Sequence, residues 1–388
     1  MNRFCSMFSQ ILKLFPRLEF EATVKKTRAE RHARGFSSWD QFVAMIFCQL
    51  GRAHSLREIC GGLASCEGKL NHLAMTEAPS RSTLAYANAH RPWELFQGVF
   101  YQLLERCQPL AQGQRKFRFK NKLVSLDSTV IDLCATLFDW AKFRRTKGAI
   151  KLHLLLDHDG YLPSFVVVTE GRCHDVRIAR ELKFDPGTIV VIDRGYVDYA
   201  WFSRLTAQGV FFVTRMKDNA VYEVVEKRRV PETGLVIQDE VIRLTGPRAQ
   251  KDCPHLLRRI EYISDETAET LGFLTNHLEF AAATIAKIYK DRWQIELFFK
   301  ALKQNLKIKT FVGTTANALK IQVWTALIAM LILKYLQLKA KFGWSLSNLV
   351  ALLRMNLFTH RDLWVWINRP FEESPPIVTT HQGTLALG

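Results

Sequence analysis

The sequence predicts a mixed α/β protein with a helical region in front of it. Three observations predict this. Apolar residues recur at helical spacing through 1–110, and short apolar runs bounded by turns follow from 117. A basic segment with one central glutamate, IYKDRWQIELFFKALKQNLKIK, then spans 288–309. The chain has 388 residues, enough for a substantial core and two or three domains. At 48% hydrophobic and 23% charged residues it is globular rather than disordered. Its net charge of +17, from 54 basic and 37 acidic residues, favours a polyanionic partner, nucleic acid first. Membranes and proteins attract the same charge.

In the first 110 residues FSQILKLF, SWDQFVAMIFCQLG, SLREICGGLA and PWELFQGVFYQLLERC carry helical spacing, with Ser38 as a candidate cap of the second. Gly61-Gly62 and Pro79 mark breaks. This region suits DNA-end binding or dimerisation. From 117 the pattern changes. KLVSLDST holds a short strand ending at Asp127, and AIKLHLLLDHDG and LPSFVVVTEG hold two more. In GTIVVIDRGY an apolar run ends just before Asp193. YAWFSRLTAQG is helical and VFFVTR extended. No glycine-rich phosphate loop follows the first strand at the required spacing, so the α/β unit need not be a Rossmann fold. Residues 216–276 alternate strand candidates with turns, as a β-rich insertion or an extension of the same sheet. VWTALIAMLILKYLQL, 323–338, is apolar but interrupted by Lys334 and short for a membrane span, so it is expected as a buried helix. Residues 341–388 form a C-terminal helical region and a loose tail. The expected divisions are therefore 1–110, a core of 117–215 with 277–340, the β-rich 216–276, and 341–388.

Eight cysteines stand at 5, 48, 60, 66, 107, 134, 173 and 253, with no CxxC pair. Cys60 and Cys66 lack a matching pair at zinc-site spacing. Buried reduced thiols and a cytoplasmic setting, without a membrane, are expected.

Asp127 and Asp193 each follow an apolar strand, where a carboxylate is fixed by a sheet and faces a cleft. Two such groups bind divalent cations through hard oxygen ligands, and Glu296 on a helix completes a set of three. Turn capping and a surface ion pair explain the same residues. Tyr289, Arg292, Glu296 and Lys303 are spaced by 3, 4 and 7 residues. At about 100° per residue they share one helical face, spread over about 21 Å. Ordinary i,i+3 and i,i+4 pairs use the same spacings. Leu297 and Phe298 are expected to pack this helix on the α/β body.

The chain resembles an IS4-family transposase with an RNase H-like catalytic domain. The resemblance rests on Asp127 in SLDST, Asp193 in VIDRGY and Glu296 in YKDRWQIE. The family's Y-(2)-R-(3)-E-(6)-K signature falls on Tyr289, Arg292, Glu296 and Lys303. It covers about 117–340 and the order of a helical region, a catalytic body and a β-rich insertion. It implies metal-dependent cutting of insertion-sequence ends and joining to target DNA. It further implies two Mg²⁺ ions, with Mn²⁺ as a substitute, on Asp127, Asp193 and Glu296. Double-stranded DNA is the partner, and a homo-oligomer is expected in the DNA complex. Tyr289 and Arg292 would position DNA, Lys303 would contact phosphate, and Trp293 would stack on a base or pack in the core. Two basic runs extend the track: Arg115, Lys116, Arg118, Lys120 and Lys122, then Lys142, Arg144, Arg145, Lys147 and Lys151. Each is equally a solvated basic face. His153 and His158 are expected in structural or surface roles rather than at zinc. The competing functions are a metal-dependent nuclease without strand transfer and a noncatalytic DNA-binding protein.

Overall fold

The computed structural model describes residues 5–372, apart from 32, 34, 67, 115, 134–141, 145, 146 and 309. Arg115, Arg145, Cys134 and the tail from 373 therefore lie outside the described residues, as do the side chains of Lys142, Arg144 and Lys147.

Six helices precede the sheet: α1 (Met7–Leu12), α2 (Arg17–Thr27), α3 (Ser38–Leu50), α4 (Leu56–Ala64), α5 (Arg81–His90) and α6 (Glu94–Ala111). Ser37, not Ser38, caps α3, in a reciprocal capping box with Asp40; Ser38 is already inside the helix and buried. Gly61-Gly62 does not break the chain either. Both lie within α4, and a Cβ on Gly62 would come within 2.8 Å of the Phe47 ring. The glycine serves close helix packing there, which outweighs its low helix propensity.

The sheet begins with β1 (Leu123–Leu133), β2 (Lys142–Arg144), β3 (Lys147–Asp157) and β4 (Leu162–Glu170). α7 (Asp175–Glu181), β5 (Ile189–Ile192), α8 (Tyr199–Ala207) and β6 (Phe211–Arg215) follow. β1, β3 and β4 are antiparallel neighbours, and β5 and β6 run parallel to β1. The order β4-β3-β1-β5-β6 is an RNase H-like arrangement: an antiparallel three-strand unit with two parallel crossovers added at its first strand. β7 (Tyr222–Lys227), β8 (Val236–Leu244), β9 (Leu257–Ile263) and β10 (Thr270–Thr275) come next, with the short α9 (Pro247–Asp252) between β8 and β9. They continue the same sheet, because β10 pairs with β6. Of the two arrangements open for 216–276, the structure has the sheet extension.

α10 (Ala282–Asp291), α11 (Trp293–Asn305), α12 (Ala316–Lys339), α13 (Leu346–Asn356) and α14 (Leu363–Asn368) complete the chain. One sheet face is covered by α7 and α8 through Val124, Leu126, Val190, Ile192 and Phe212. The other face carries two clusters. Leu123, Ile189, Val191 and Val213 meet Ile285 and Ile288 of α10. Ile131, Leu152, Leu154 and Leu156 join α11, α12 and the N-terminal helices in one large core. α12 is long and apolar enough to cross a membrane, yet 83% of its apolar window is buried within the protein. It is the central helix of that core, wrapped by α3, α5, α6 and α13. The described cysteines are free thiols; Cys48, Cys107 and Cys253 are buried, and burial pushes Cys48 and Cys107 up to about 12.

Candidate active site

The parallel ladder between β1 and β5 ends at the pair Leu126↔Ile192. Asp127 and Asp193 are the next residue on each strand, so they stand side by side at the end of the ladder. Neighbouring strands lie about 4.8 Å apart, and in-register residues point to one face. That face is the one covered by α10, since Asp127 alternates with Leu126 and Asp193 with Ile192. The position of Asp127 differs from the expected strand end: β1 runs on to Leu133. The partner strand β5 stops instead at Ile192. Asp193 caps a 3-10 turn, Arg194–Tyr196, and accepts the Gly195 amide at 2.6 Å. A Cβ at Gly195 would sit 2.8 Å from the Asp193 Oδ1, so a side chain there would displace the carboxylate.

Glu296 lies in the first turn of α11. The expected single helix is broken: α10 ends at Asp291, and Arg292 joins it to α11. Arg292 keeps right-handed helical angles, φ −53° and ψ −31°, so the bend leaves Tyr289, Arg292 and Glu296 near one another. The Arg292 Nη2 donates to Glu296 Oε1 at 2.7 Å, and its Nη1 lies 3.9 Å from Asp127 Oδ2. Its guanidinium sits 5.4 Å from the Tyr289 ring centre, and its Nε is buried without a partner. Burial opposes the Arg292 charge, but Tyr289, Glu296 and Asp127 outweigh it and raise its pKa. Burial pushes the Asp127 carboxyl up to about 7. The Ser128 amide, 2.7 Å from its Oδ1, and Arg292 oppose that rise; Asp193 and Glu296 add to it. Burial also raises the Tyr289 hydroxyl.

The three donors are all carboxylates, which suits a hard divalent cation in kind. Among the described residues, no three His, Cys, Asp or Glu side chains stand close enough together to hold one ion. The Arg292 guanidinium lies against both Asp127 and Glu296. A metal that takes all three carboxylates requires that guanidinium to turn away.

Other expected residues divide. Trp293 is 54% exposed rather than packed in the core, and Leu297 is 42% exposed rather than packed on the α/β body; Phe298 is buried. α11 turns these two side chains outward because Ile295, Phe298, Phe299 and Leu302 occupy its inner face. Lys303 donates to the Val130 carbonyl at 2.9 Å, tying α11 to β1. Lys116 is bonded to Asp291 at 2.6 Å, and Lys122 lies 3.6 Å from Asp157. Lys151 bonds Asp175 and the Cys173 carbonyl beside α7, on the opposite sheet face from Asp127. Arg118 and Lys120 are exposed.

Sequence spacing missed a buried network behind the site. The Asp291 carboxylate, fully buried, meets the His158 Nδ1 at 2.7 Å, Lys116 at 2.6 Å and the Tyr161 hydroxyl at 3.2 Å. The His158 Nε2 lies 2.7 Å from the Ser125 Oγ, two residues before Asp127. Burial works against the Asp291 charge, but His158 and Lys116 hold its carboxyl below the usual range. This chain of bonds pins the residue before Arg292 to the strand that carries Asp127. His158 thus takes the structural role. The only sequence signal was a charged residue, Asp291, adjoining Arg292.

The transposase DDE domain family matches residues 118–332, and a domain of unknown function (DUF4372) matches residues 5–76. A putative transposase, y4zB, of Sinorhizobium fredii is 32% identical over 330 residues, 84% of this chain and 89% of the relative. A probable transposase for insertion sequence element IS5377 of Geobacillus stearothermophilus is 30% identical over 69% of this chain and 70% of its own length. A cryo-EM structure of a piggyBac transposase synaptic complex with hairpin DNA aligns with 92% of this chain and 81% of that one, at 11% identity and a TM-score of 0.45. The family match spans the sheet, both aspartates and Glu296, so the chain belongs to the DDE transposases and is a divalent-metal-dependent enzyme of DNA cleavage and strand transfer.

Proposed function

We propose that Asp127, Asp193 and Glu296 are the metal-holding carboxylates of an IS4-type transposase that cuts insertion-sequence ends and joins them to target DNA. The observation that carries this is the register: both aspartates leave the parallel ladder at the same step, on the face from which α11 presents Glu296. Two Mg²⁺ ions, replaceable by Mn²⁺, supply charge neutralisation at phosphate and a more acidic attacking hydroxyl. The chain's own residues do the rest. Arg292 balances Asp127 and Glu296 while no ion is bound, then turns toward a DNA phosphate. Tyr289 holds the base of that guanidinium. Trp293, exposed three residues before Glu296, offers a flat face to an unpaired base. Arg118 and Lys120 extend the basic path.

Water attack releases a 3′-hydroxyl at the element's end. That hydroxyl then attacks a target phosphate, and the bond to the target strand's own 3′ oxygen breaks. Two ends must meet for a complete insertion, so the DNA complex is a homo-oligomer working where the DNA lies, in the cytoplasm. A labelled duplex from the ends of the encoding element, mixed with a circular target and Mg²⁺, tests the chemistry. Joined product is expected. Cleavage without joining would turn the assignment to a nuclease, and DNA binding without cleavage to a noncatalytic protein.

A further inference from the structure

Beyond the carboxylate site, three cations converge where the N-terminal helices meet the end of α11. Lys307 is buried, with its Nζ 2.6 Å from the His54 Nδ1. Its backbone is fixed on both sides by buried glutamines. Gln49 of α3 accepts its amide at 2.8 Å, and Gln322 of α12 donates to its carbonyl at 2.6 Å. Arg52 donates to the Gln304 carbonyl at 3.2 Å, and Arg354 of α13 to the Leu50 carbonyl at 3.3 Å. Arg52 adopts φ 60°, a left-handed conformation that penalises a residue with a side chain.

Both arginines cap helix C-termini in part, but that does not require a buried lysine beside them. Burial, Arg52 and Arg354 all lower the Lys307 pKa, and Arg52 likewise lowers that of Arg354. The three charges therefore act against one another. Glu58 faces the same cluster, yet its carboxylate is engaged by the His54 amide at 2.9 Å and by Ser55. Among the described residues none of the three cations forms an ion pair with a carboxylate. Three cations held by backbone hydrogen bonds beside the single carboxylate Glu58 leave an excess of positive charge at a partly open surface, which suits an anion.

We propose that Arg52, Lys307 and Arg354 form a phosphate-binding site for the DNA backbone, shared by the N-terminal region, the end of α11 and α13. It rests on the chain acting on DNA, and gives the region matched by a domain of unknown function a place in that action. Gln304, which anchors Arg52, is eight residues beyond Glu296. At about 1.5 Å per residue the site is about 12 Å along α11 from the carboxylates. With one phosphate of each strand per about 3.4 Å of duplex axis, that is three to four base-pair steps for a duplex lying along α11. A strand cut at Glu296 thus reaches this site with the same helix as its guide.

The test is the salt dependence of binding to a random-sequence 30-base-pair duplex, without metal, for three pairs of substitutions. Arg52→Gln with Arg354→Gln is expected to flatten the slope of log affinity against log salt by about 1.8, since each phosphate contact contributes about 0.9. Arg52→Lys with Arg354→Lys keeps the charge and is expected to retain most of the slope. Lys183→Gln with Lys251→Gln removes equal charge elsewhere and is expected to leave the slope within about 0.3 of wild type. Melting temperatures are read in parallel. An unchanged slope in the Gln pair, whatever its melting temperature, overturns the site. An equal fall in the control pair overturns it too. If the Gln pair fails to fold, a Lys pair that folds and has lost the slope to the same extent as a charge removal also overturns it. Absence of salt-dependent binding by the wild type would be a failure of DNA binding itself, distinguishable from failure of this site.

Discussion

Asp127 is the residue on which the chemistry and the cost meet. In the role proposed for it, it needs its charge, yet burial pushes its pKa up from an ordinary 3.8 to about 7. The sign follows. A carboxyl raised on folding binds its proton more tightly in the folded state, so its stabilising contribution is present below about pH 4. It is lost as pH rises through about 7. Metal-free Asp127→Asn is therefore expected to melt above wild type at pH 8, by about 4 kcal/mol of stability, and to match it at pH 4. Melting curves at the two pH values check this. Trp293→Ala makes the opposite case. Since the ring is largely exposed, its loss is expected to change stability by less than about 0.5 kcal/mol. It should weaken binding of single-stranded DNA by about 1–3 kcal/mol, read by fluorescence anisotropy. Asp193 and Glu296 were legible in the sequence, one from the apolar run before it and one from its spacing to Tyr289 and Arg292. Ser125, His158 and Asp291 were not, because three residues separated by 33 and 133 positions meet only through tertiary packing.

At the scale of elements, the two aspartates are set by a strand that stops beside one that continues. β5 has four residues and β1 has eleven, so Asp127 loses its parallel neighbour in mid-strand. The sequence showed where β5 ends, since Asp193 interrupts an apolar run. It concealed the length of β1, since SLDSTVIDL alternates and its polar positions resemble a turn. The break at Arg292 was hidden for a related reason: its backbone stays helical, and no glycine or proline marks it. Besides their apolar packing, the Asp291 network ties the junction of α10 and α11 to β1. Removing His158 takes one buried hydrogen-bond partner from Asp291, which keeps Lys116, and one from Ser125, so His158→Ala is expected to cost about 1–3 kcal/mol in chemical denaturation. It should also reduce cleavage at temperatures where the protein remains folded, because Arg292 and Glu296 lose their anchor to β1.

Across the whole molecule, the N-terminal helices and α12 to α14 share one core with the sheet face that carries the carboxylates. Helical spacing made the N-terminal elements legible. It could not show that α12 passes through their centre, because an all-apolar helix has no face to identify its neighbours. Leu331, fully buried in α12, is a test of that shared core. Leu331→Ala is expected to cost about 2–5 kcal/mol in a single cooperative transition. Two separate transitions would show the N-terminal helices melting on their own. The central claim is that Asp127, Asp193 and Glu296 together run the DNA chemistry. The most direct measurement is Mg²⁺-dependent cleavage of a duplex from the element's end, with affinity for the same duplex in parallel, for wild type, Asp127→Asn, Asp193→Asn and Glu296→Gln. Each substitution is expected to lower cleavage by at least about a thousandfold, roughly 4 kcal/mol of barrier, with affinity within about threefold of wild type. Cleavage at the wild-type rate by any one of the three would contradict the assignment.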